Sequence, residues 1–214
     1  MTELHPGVDL PEAASGLAPA LRARTAALHV QAERSGIVAE ILRGRASRTG
    51  YALLLRNLLP AYRAMEAGLE RHRLSPGVRW FARPEMYRAE AIAADLAALG
   101  GAHALLAAGA AYADRIAACD GPRLIGHAYA RYLGDLSGGQ VLKRLLARTL
   151  GLGVEATSFY DFPAIADIDA FKQVFRAALD RAGGEIADPA AVLDEAAEAF
   201  RLNIAVSEAV QAAS

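Results

Sequence analysis

The sequence predicts an all-α protein. Of its 214 residues, 54% are hydrophobic and only 7% aromatic, an alanine-heavy balance suited to close-packed helices. Apolar residues recur at helical spacing between capping residues and glycine stops, and nowhere does the chain show apolar–polar alternation of strand length. The length suits one domain with a substantial core, since a chain of about 150 to 200 residues buries near 70% of its unfolded surface. We expect a flexible N-terminal segment over residues 1–16 and one helical domain over 17–214.

The elements follow in order. Residues 19–34 read as a first helix, with Pro19 in its opening turn and Ser35-Gly36 as its stop. A short helix over 37–43 ends at Gly44. Ser47 then caps a long helix to about Arg71, whose Pro60 removes one backbone donor and bends it. Ser75-Pro76-Gly77 is a turn. Pro84 opens a helix that stops at Gly100-Gly101, and another runs from about His103 to Cys119 before Asp120-Gly121-Pro122. The next helix contains His127 to Arg148 and closes at Gly151 and Gly153. Residues 154–167 are loop-like, Asp167 opens a helix to about Ala182, and Asp188-Pro189 caps a last one reaching nearly to Ser214.

The totals exclude several functions. A net charge of −1 and a pI near 6.5 suggest neither a nucleic-acid surface nor a strongly basic membrane face. One cysteine, Cys119, excludes an internal disulfide framework and CxxC-type zinc or covalent-heme motifs. That usage fits a reducing compartment, and we expect a cytoplasmic location. No signal peptide and no long charge-free apolar run is present, so no membrane anchor is expected. HExxH, P-loop, GxSxG and GxGxxG patterns are missing, which removes support for metalloprotease, nucleotide-binding and serine-hydrolase readings.

The helix through His127 to Arg148 carries Gly134, Gly138 and Gly139 in its interior, where each glycine costs about 1 kcal/mol relative to alanine. Gly134 and Gly138 differ by about 40° around the axis and share a face beside Asp135 and Gly139. Such spacing either lets a neighbouring helix approach closely or lets a flat ligand lie against the backbone. Three glycines clustered around a carboxylate favour the ligand.

On the first helix, Arg22, Thr25, Ala26, His29 and Glu33 form one stripe beside the apolar line Leu17, Leu21, Leu28 and Ala32. His29 is either a packed border residue or a metal ligand. Glu33, four residues on, is either an ordinary helix pair or the carboxylate that orients a metal-bound imidazole. His5, His72 and His103 occupy helix ends or the terminus, and His127 lines the glycine helix.

The stretches "LRARTAALHVQAE" (21–33) and "HAYARYLGDLSGGQVLKRL" (127–145) together resemble the heme oxygenase family. The similarity continues through "GYALLLRNLLPAYRAMEAGLE", "RPEMYRAEAIAADL", "FKQVFR" and "AFRLNI", covering most of the chain from about residue 17. The resemblance implies an all-helical fold holding heme b between its first helix and a kinked, glycine-rich helix. It implies oxidative opening of the porphyrin, at the α-meso edge, to biliverdin, carbon monoxide and ferrous iron with O2 and external electrons.

Carried onto this chain, the resemblance makes His29 the iron ligand and Glu33 its orienting partner. Gly134 and Gly138 become the backbone contacts to the porphyrin, with Gly139 assisting the bend. Asp135 becomes the carboxylate that organises water and delivers protons, within a hydrogen-bond network of Tyr62, Arg131 and Asn203. Thr25, Tyr129 and Phe200 line the pocket. Lys172 and Arg176 match the propionate-binding cations, and Arg22 stands where a lysine is common, which allows a bidentate grip. Spacing alone leaves a different reading open, since Asp169 and Asp180 could neutralise Lys172 and Arg176 on a solvated face. Arg131 could likewise be a solvated surface residue.

The chain carries no flavin or iron–sulfur motif, so electrons are expected from a ferredoxin or flavin reductase. Arg22, Lys143, Arg144 and Arg176 offer a docking face for an acidic donor. A soluble bacterial-type enzyme is the expectation; a heme-binding carrier or sensor without turnover and a helical interaction protein are the alternatives.

Overall fold

A computed structural model describes residues 16–214, and every regular element within them is helical. The elements are α1 (Leu17–Arg34), α2 (Gly36–Leu42), α3 (Arg48–Arg71), α4 (Ala89–Leu99), α5 (Ala107–Ala117), α6 (Gly121–Leu150), α7 (Ile168–Gly183) and α8 (Pro189–Ala213). Residues 1–15 of the expected N-terminal segment, with His5, lie outside the described residues.

Local signals set most helix ends. The side chains of Ser47, Asp120, Asp167 and Asp188 each accept a hydrogen bond from the amide three residues on, at 2.9–3.1 Å. Gly151 stops α6 in the left-handed conformation, with φ at 64°.

Other ends depart from expectation because partners distant in sequence intervene. The helix expected from His103 begins at Ala107. Buried Asn57 on α3 accepts from Leu106 N (2.7 Å) and donates to Ala104 O (3.1 Å), so those backbone groups are committed before a helical turn can use them. Pro84 opens only a 3-10 turn, Pro84–Met86, and α4 proper begins at Ala89, where Glu66 accepts from the amides of Arg88 (2.6 Å) and Ala89 (3.0 Å). The segment 154–167 contains two 3-10 turns, Val154–Ala156 and Ser158–Tyr160.

α3 forms the spine. Tyr51, Leu55, Leu58, Tyr62, Met65 and Leu69 recur at alternating spacings of four and three, and all are buried. Each of the leucines and the methionine contributes roughly 1.5–3 kcal/mol when removed from water. α4 and α5 pack on α3, while α8 packs against α1, α2, α3, α5 and α6. The main buried cluster draws residues from Leu17 through Val210. No helix among the described residues is long and apolar enough to cross a membrane.

Candidate functional site

α6 runs unbroken through its glycines, but the glycines do different work. A Cβ placed on Gly139 would lie 2.8 Å from Tyr160 Cδ1, and one on Gly126 would lie 2.7 Å from Ala196 N of α8. Those two positions are close approaches. At Gly134 and Gly138 a Cβ would meet no atom of the described residues within 4 Å. Both are exposed, as are Ser137 and Val141 on the same stripe. The neighbouring-helix explanation therefore fails for Gly134 and Gly138, whose bare backbone faces outward beside a buried Asp135.

α8 ties that face to α1. Phe200 lies 5.9 Å from the His29 ring, and one turn later Asn203 accepts a hydrogen bond from Arg131 Nη1 of α6 at 2.6 Å. α1 and α6 also meet where the hydroxyls of Thr25 and Tyr129 approach to 3.3 Å, with Thr25 donating to Leu21 O in its own helix. The His29 side chain is 57% exposed, and its Nδ1 lies 3.7 Å from Glu33 Oε1, an ion-pair distance but not a hydrogen bond.

Around Asp135 the structure builds a closed network. Tyr62 donates its hydroxyl hydrogen to Oδ2, and Arg131 donates from Nη2 to Oδ1 at 3.2 Å. Arg131 Nε also donates to the Tyr62 oxygen at 2.9 Å, so one guanidinium holds three acceptors in fixed relation. The solvated alternative for Arg131 is excluded, since its side chain is 13% exposed.

Electrostatics tune this carboxyl in opposing directions. Burial raises the Asp135 pKa above its ordinary value, while Arg131 and the Tyr62 hydrogen bond pull it back part of the way. Burial also raises Tyr62 well above the ordinary phenol range, so it stays a hydrogen-bond donor. Phe159 packs edge-on to the Tyr62 ring at 5.4 Å. The arrangement can hold a proton at Asp135, next to exposed backbone, in a fixed orientation.

The cationic residues fall into two groups. Lys172 Nζ pairs with Asp169 at 2.6 Å, as spacing allowed. Asp180 does not serve Arg176; it accepts from Ala18 N at 2.9 Å and so caps the start of α1. Arg22, Arg144 and Arg176 are exposed, whereas Lys143 is drawn to Asp161 of the loop before α7.

Three buried contributors were not visible as such in the sequence. Asp95 accepts from Ser158 N (2.9 Å), Ser158 Oγ (2.5 Å) and Phe159 N (2.8 Å), and thereby sets the ring that packs on Tyr62. Arg88 is buried with its guanidinium 4.5 Å from the Phe162 ring centroid, and its charge also steadies the Asp135 carboxylate. In an arginine-rich chain nothing marked this one as buried. His127 does not line an open face of α6; it is fully buried and pairs with Glu195 of α8 at 2.9 Å.

Comparison with known proteins adds a family. A family model described as heme oxygenase matches residues 15–209. Heme oxygenase 1 of Nostoc sp. is 37% identical over 199 residues, spanning 89% of this chain and 84% of that protein. The structure of heme oxygenase from Leptospira interrogans superposes with a TM-score of 0.85 at 34% identity, over 91% of this chain and 100% of that one. Heme oxygenase-1 from the cyanobacterium Synechocystis sp., solved in complex with heme, superposes with a TM-score of 0.86 at 33% identity, over 93% and 94% of the two chains.

Proposed function

The chain belongs to the heme oxygenase family and is a heme-degrading oxygenase, and from that premise we propose that its substrate lies between His29 of α1 and the bare backbone of Gly134 and Gly138 on α6. The observation that carries this reading is the pair of outward-facing glycines, free of any Cβ neighbour, beside the buried Asp135.

The residues present fit heme. A flat apolar ring needs a wall without side chains, and Gly134 and Gly138 supply one. Iron needs a neutral imidazole nitrogen, and with Nδ1 turned toward Glu33, Nε2 of His29 is the ligand atom. Thr25, Tyr129 and Phe200 form the lateral wall. Gly139, packed on Tyr160, seats α6 rather than touching the ring. Lys172, Arg176 and Arg22 would hold the two propionates; Lys172 pairs with Asp169 here and would have to leave it to do so.

Heme itself supplies the iron at which O2 is activated and the porphyrin edge that is oxidised. The protein's part is placement and protons. Arg131, fixed by Asn203 and Tyr62, holds the Asp135 carboxyl in one orientation. With its pKa raised by burial, Asp135 holds a proton more readily than an exposed aspartate and hands it toward the oxygen side of the site. Anchoring by Lys172, Arg176 and Arg22 would limit rotation of the substrate in its plane, and α-meso cleavage is the regiochemistry that the family membership implies. Electrons come from a ferredoxin or flavin reductase docking over exposed Arg22, Arg144 and Arg176; Lys143, engaged with Asp161, is a weaker member of that face.

Purified protein incubated with heme, O2 and a reducing system should form a verdin chromophore. His29→Ala should lose the axial-ligand signature of the ferric complex, and Asp135→Ala should bind heme yet form verdin poorly. A heme complex that persists unchanged in the unmodified protein would favour a carrier; an unaltered ferric spectrum in His29→Ala would reject that ligand.

A further inference from the structure

We propose that Asp95 of α4 is a positioning residue for proton delivery: by fixing the turn Ser158–Tyr160 it holds the Tyr62 hydroxyl on the Asp135 carboxyl. The inference rests on the role proposed for Asp135, and it assigns part of that role to a helix that carries none of the heme-facing residues.

The turn opens with amides that its own neighbours do not satisfy. The first N–H groups of any helical turn have no acceptor inside it. Thr157, directly before the turn, sends its hydroxyl back to Gly153 O at 2.9 Å, and its carbonyl accepts from Tyr160 N at 3.2 Å. Asp95 supplies the missing acceptors from far away in the chain. Its Oδ1 accepts from Ser158 N at 2.9 Å and from the Ser158 hydroxyl at 2.5 Å, and its Oδ2 accepts from Phe159 N at 2.8 Å. Asp95 is fully buried, so these bonds form away from water, where breaking one leaves a desolvated group unpaired. With both oxygens committed, the turn has one orientation on α4.

That orientation decides where two buried rings lie. Phe159 meets the Tyr62 ring edge-on, at 5.4 Å and an interplanar angle of 85°, and lies 4.6 Å from the Tyr160 ring. Tyr160 packs against Gly139, one turn past Asp135, and its carbonyl accepts from Gln140 Nε2 at 2.7 Å. The next residue, Asp161, receives Arg88 on its carbonyl and Lys143 on its carboxylate. The turn therefore bears on Asp135 twice, through the ring of its hydrogen-bond donor and through the backbone of its own helix. A tilt of the Tyr62 ring would take the hydroxyl away from Asp135 Oδ2 and from Arg131 Nε together.

The sign of the effect follows from what faces Asp135. Those groups are Arg131 on its own helix, Tyr62 on α3, Arg88 before α4, and the phenols of Tyr112, Tyr132 and Tyr160, which burial keeps neutral. The Tyr62 hydrogen bond favours the ionised carboxylate and opposes burial. Loosening the ring that supports Tyr62 weakens that bond, so Asp135 should hold its proton to higher pH. A residue that only stabilised the fold would lower the melting temperature and leave this titration where it is.

Carboxyl-carbon NMR of Asp135 in the heme-free protein, followed over a pH series, tests this. Asp95→Asn keeps an acceptor for only one of the two amides, and Phe159→Leu keeps the cap but removes the ring edge. Each should raise the Asp135 midpoint by about half a pH unit or more, roughly threefold in proton affinity. Tyr62→Phe should raise it as well, and adding Phe159→Leu to Tyr62→Phe should raise it no further. In the heme complex, the pH profile of verdin formation should move to higher pH in Phe159→Leu by the same amount. Phe159→Leu decides the matter if Asp95→Asn folds poorly. An unchanged Asp135 midpoint in Phe159→Leu, a rise that persists in the Tyr62→Phe background, or a verdin profile that loses amplitude without moving would overturn the assignment. Heme-free shifts in a protein that forms no verdin would reject the role proposed for Asp135 and leave its connection to Asp95 standing.

Discussion

Adding one methyl group at Gly134 or Gly138 should strengthen the heme-free fold and weaken the heme complex. Both positions are helical and solvent-facing, and a Cβ there meets nothing within 4 Å. Glycine to alanine in an exposed helix interior is worth about 0.8–1 kcal/mol, so the double variant gains roughly 2 kcal/mol. For a chain of this length about 1 kcal/mol moves the melting temperature by roughly 2–4 °C, so the pair should melt about 4–8 °C higher. If porphyrin lies on that backbone, each methyl overpacks the contact by about 1–3 kcal/mol, or roughly five- to 150-fold in Kd. Gly139→Ala is the control: its Cβ would sit 2.8 Å from the Tyr160 ring, so it should lower the heme-free melting temperature. Thermal unfolding followed by circular dichroism and heme titration followed by absorbance measure the two effects separately. A Gly138→Ala protein that is less stable without heme, or that binds heme with unchanged affinity, would refute the reasoning.

Two further outcomes follow from the buried carboxylates. Asp95→Ala leaves one buried and one half-buried backbone N–H without an acceptor, at about 1–3 kcal/mol each, so urea unfolding should show a loss of roughly 2–6 kcal/mol; a loss under about 1 kcal/mol would mean those amides find other partners. Burial raises the native pKa of Asp135 above 3.8, so the folded state keeps a proton that the unfolded chain has released. Wild-type stability relative to Asp135→Asn should therefore fall as pH rises from the unfolded value through the raised native one, and be flat on either side. Urea midpoints of both proteins over a pH series test this, and parallel profiles would show that the carboxyl is not shifted.

Much of the helix order was readable because it depends on neighbours within one turn. Ser47, Asp120, Asp167 and Asp188 cap amides three residues away, so their role is written in short stretches of sequence. The start of α5 was not readable, because Asn57 holds residues 104–106 from 47 and 49 positions away. Asp180 illustrates the same limit: helical spacing offered it to Arg176, but its carboxylate reaches 162 residues back to the amide of Ala18. Of the site residues, Arg131 and Asp135 lie four apart on one helix and could be paired from spacing, yet the closing members Tyr62 and Asn203 arrive from α3 and α8.

By itself the sequence determined an all-helical chain, most of its helix boundaries, and a helix face stripped of side chains next to a carboxylate. Those properties arise from periodicity, caps and composition, which act over a few residues. Only tertiary structure decided which glycines are packed and which lie open. It also decided that Arg131 is tied into the Tyr62–Asp135–Asn203 network rather than solvated, and that His127 faces Glu195. The reason is that burial and charge compensation are properties of what surrounds a side chain. Here those surroundings are assembled from helices that meet only after folding.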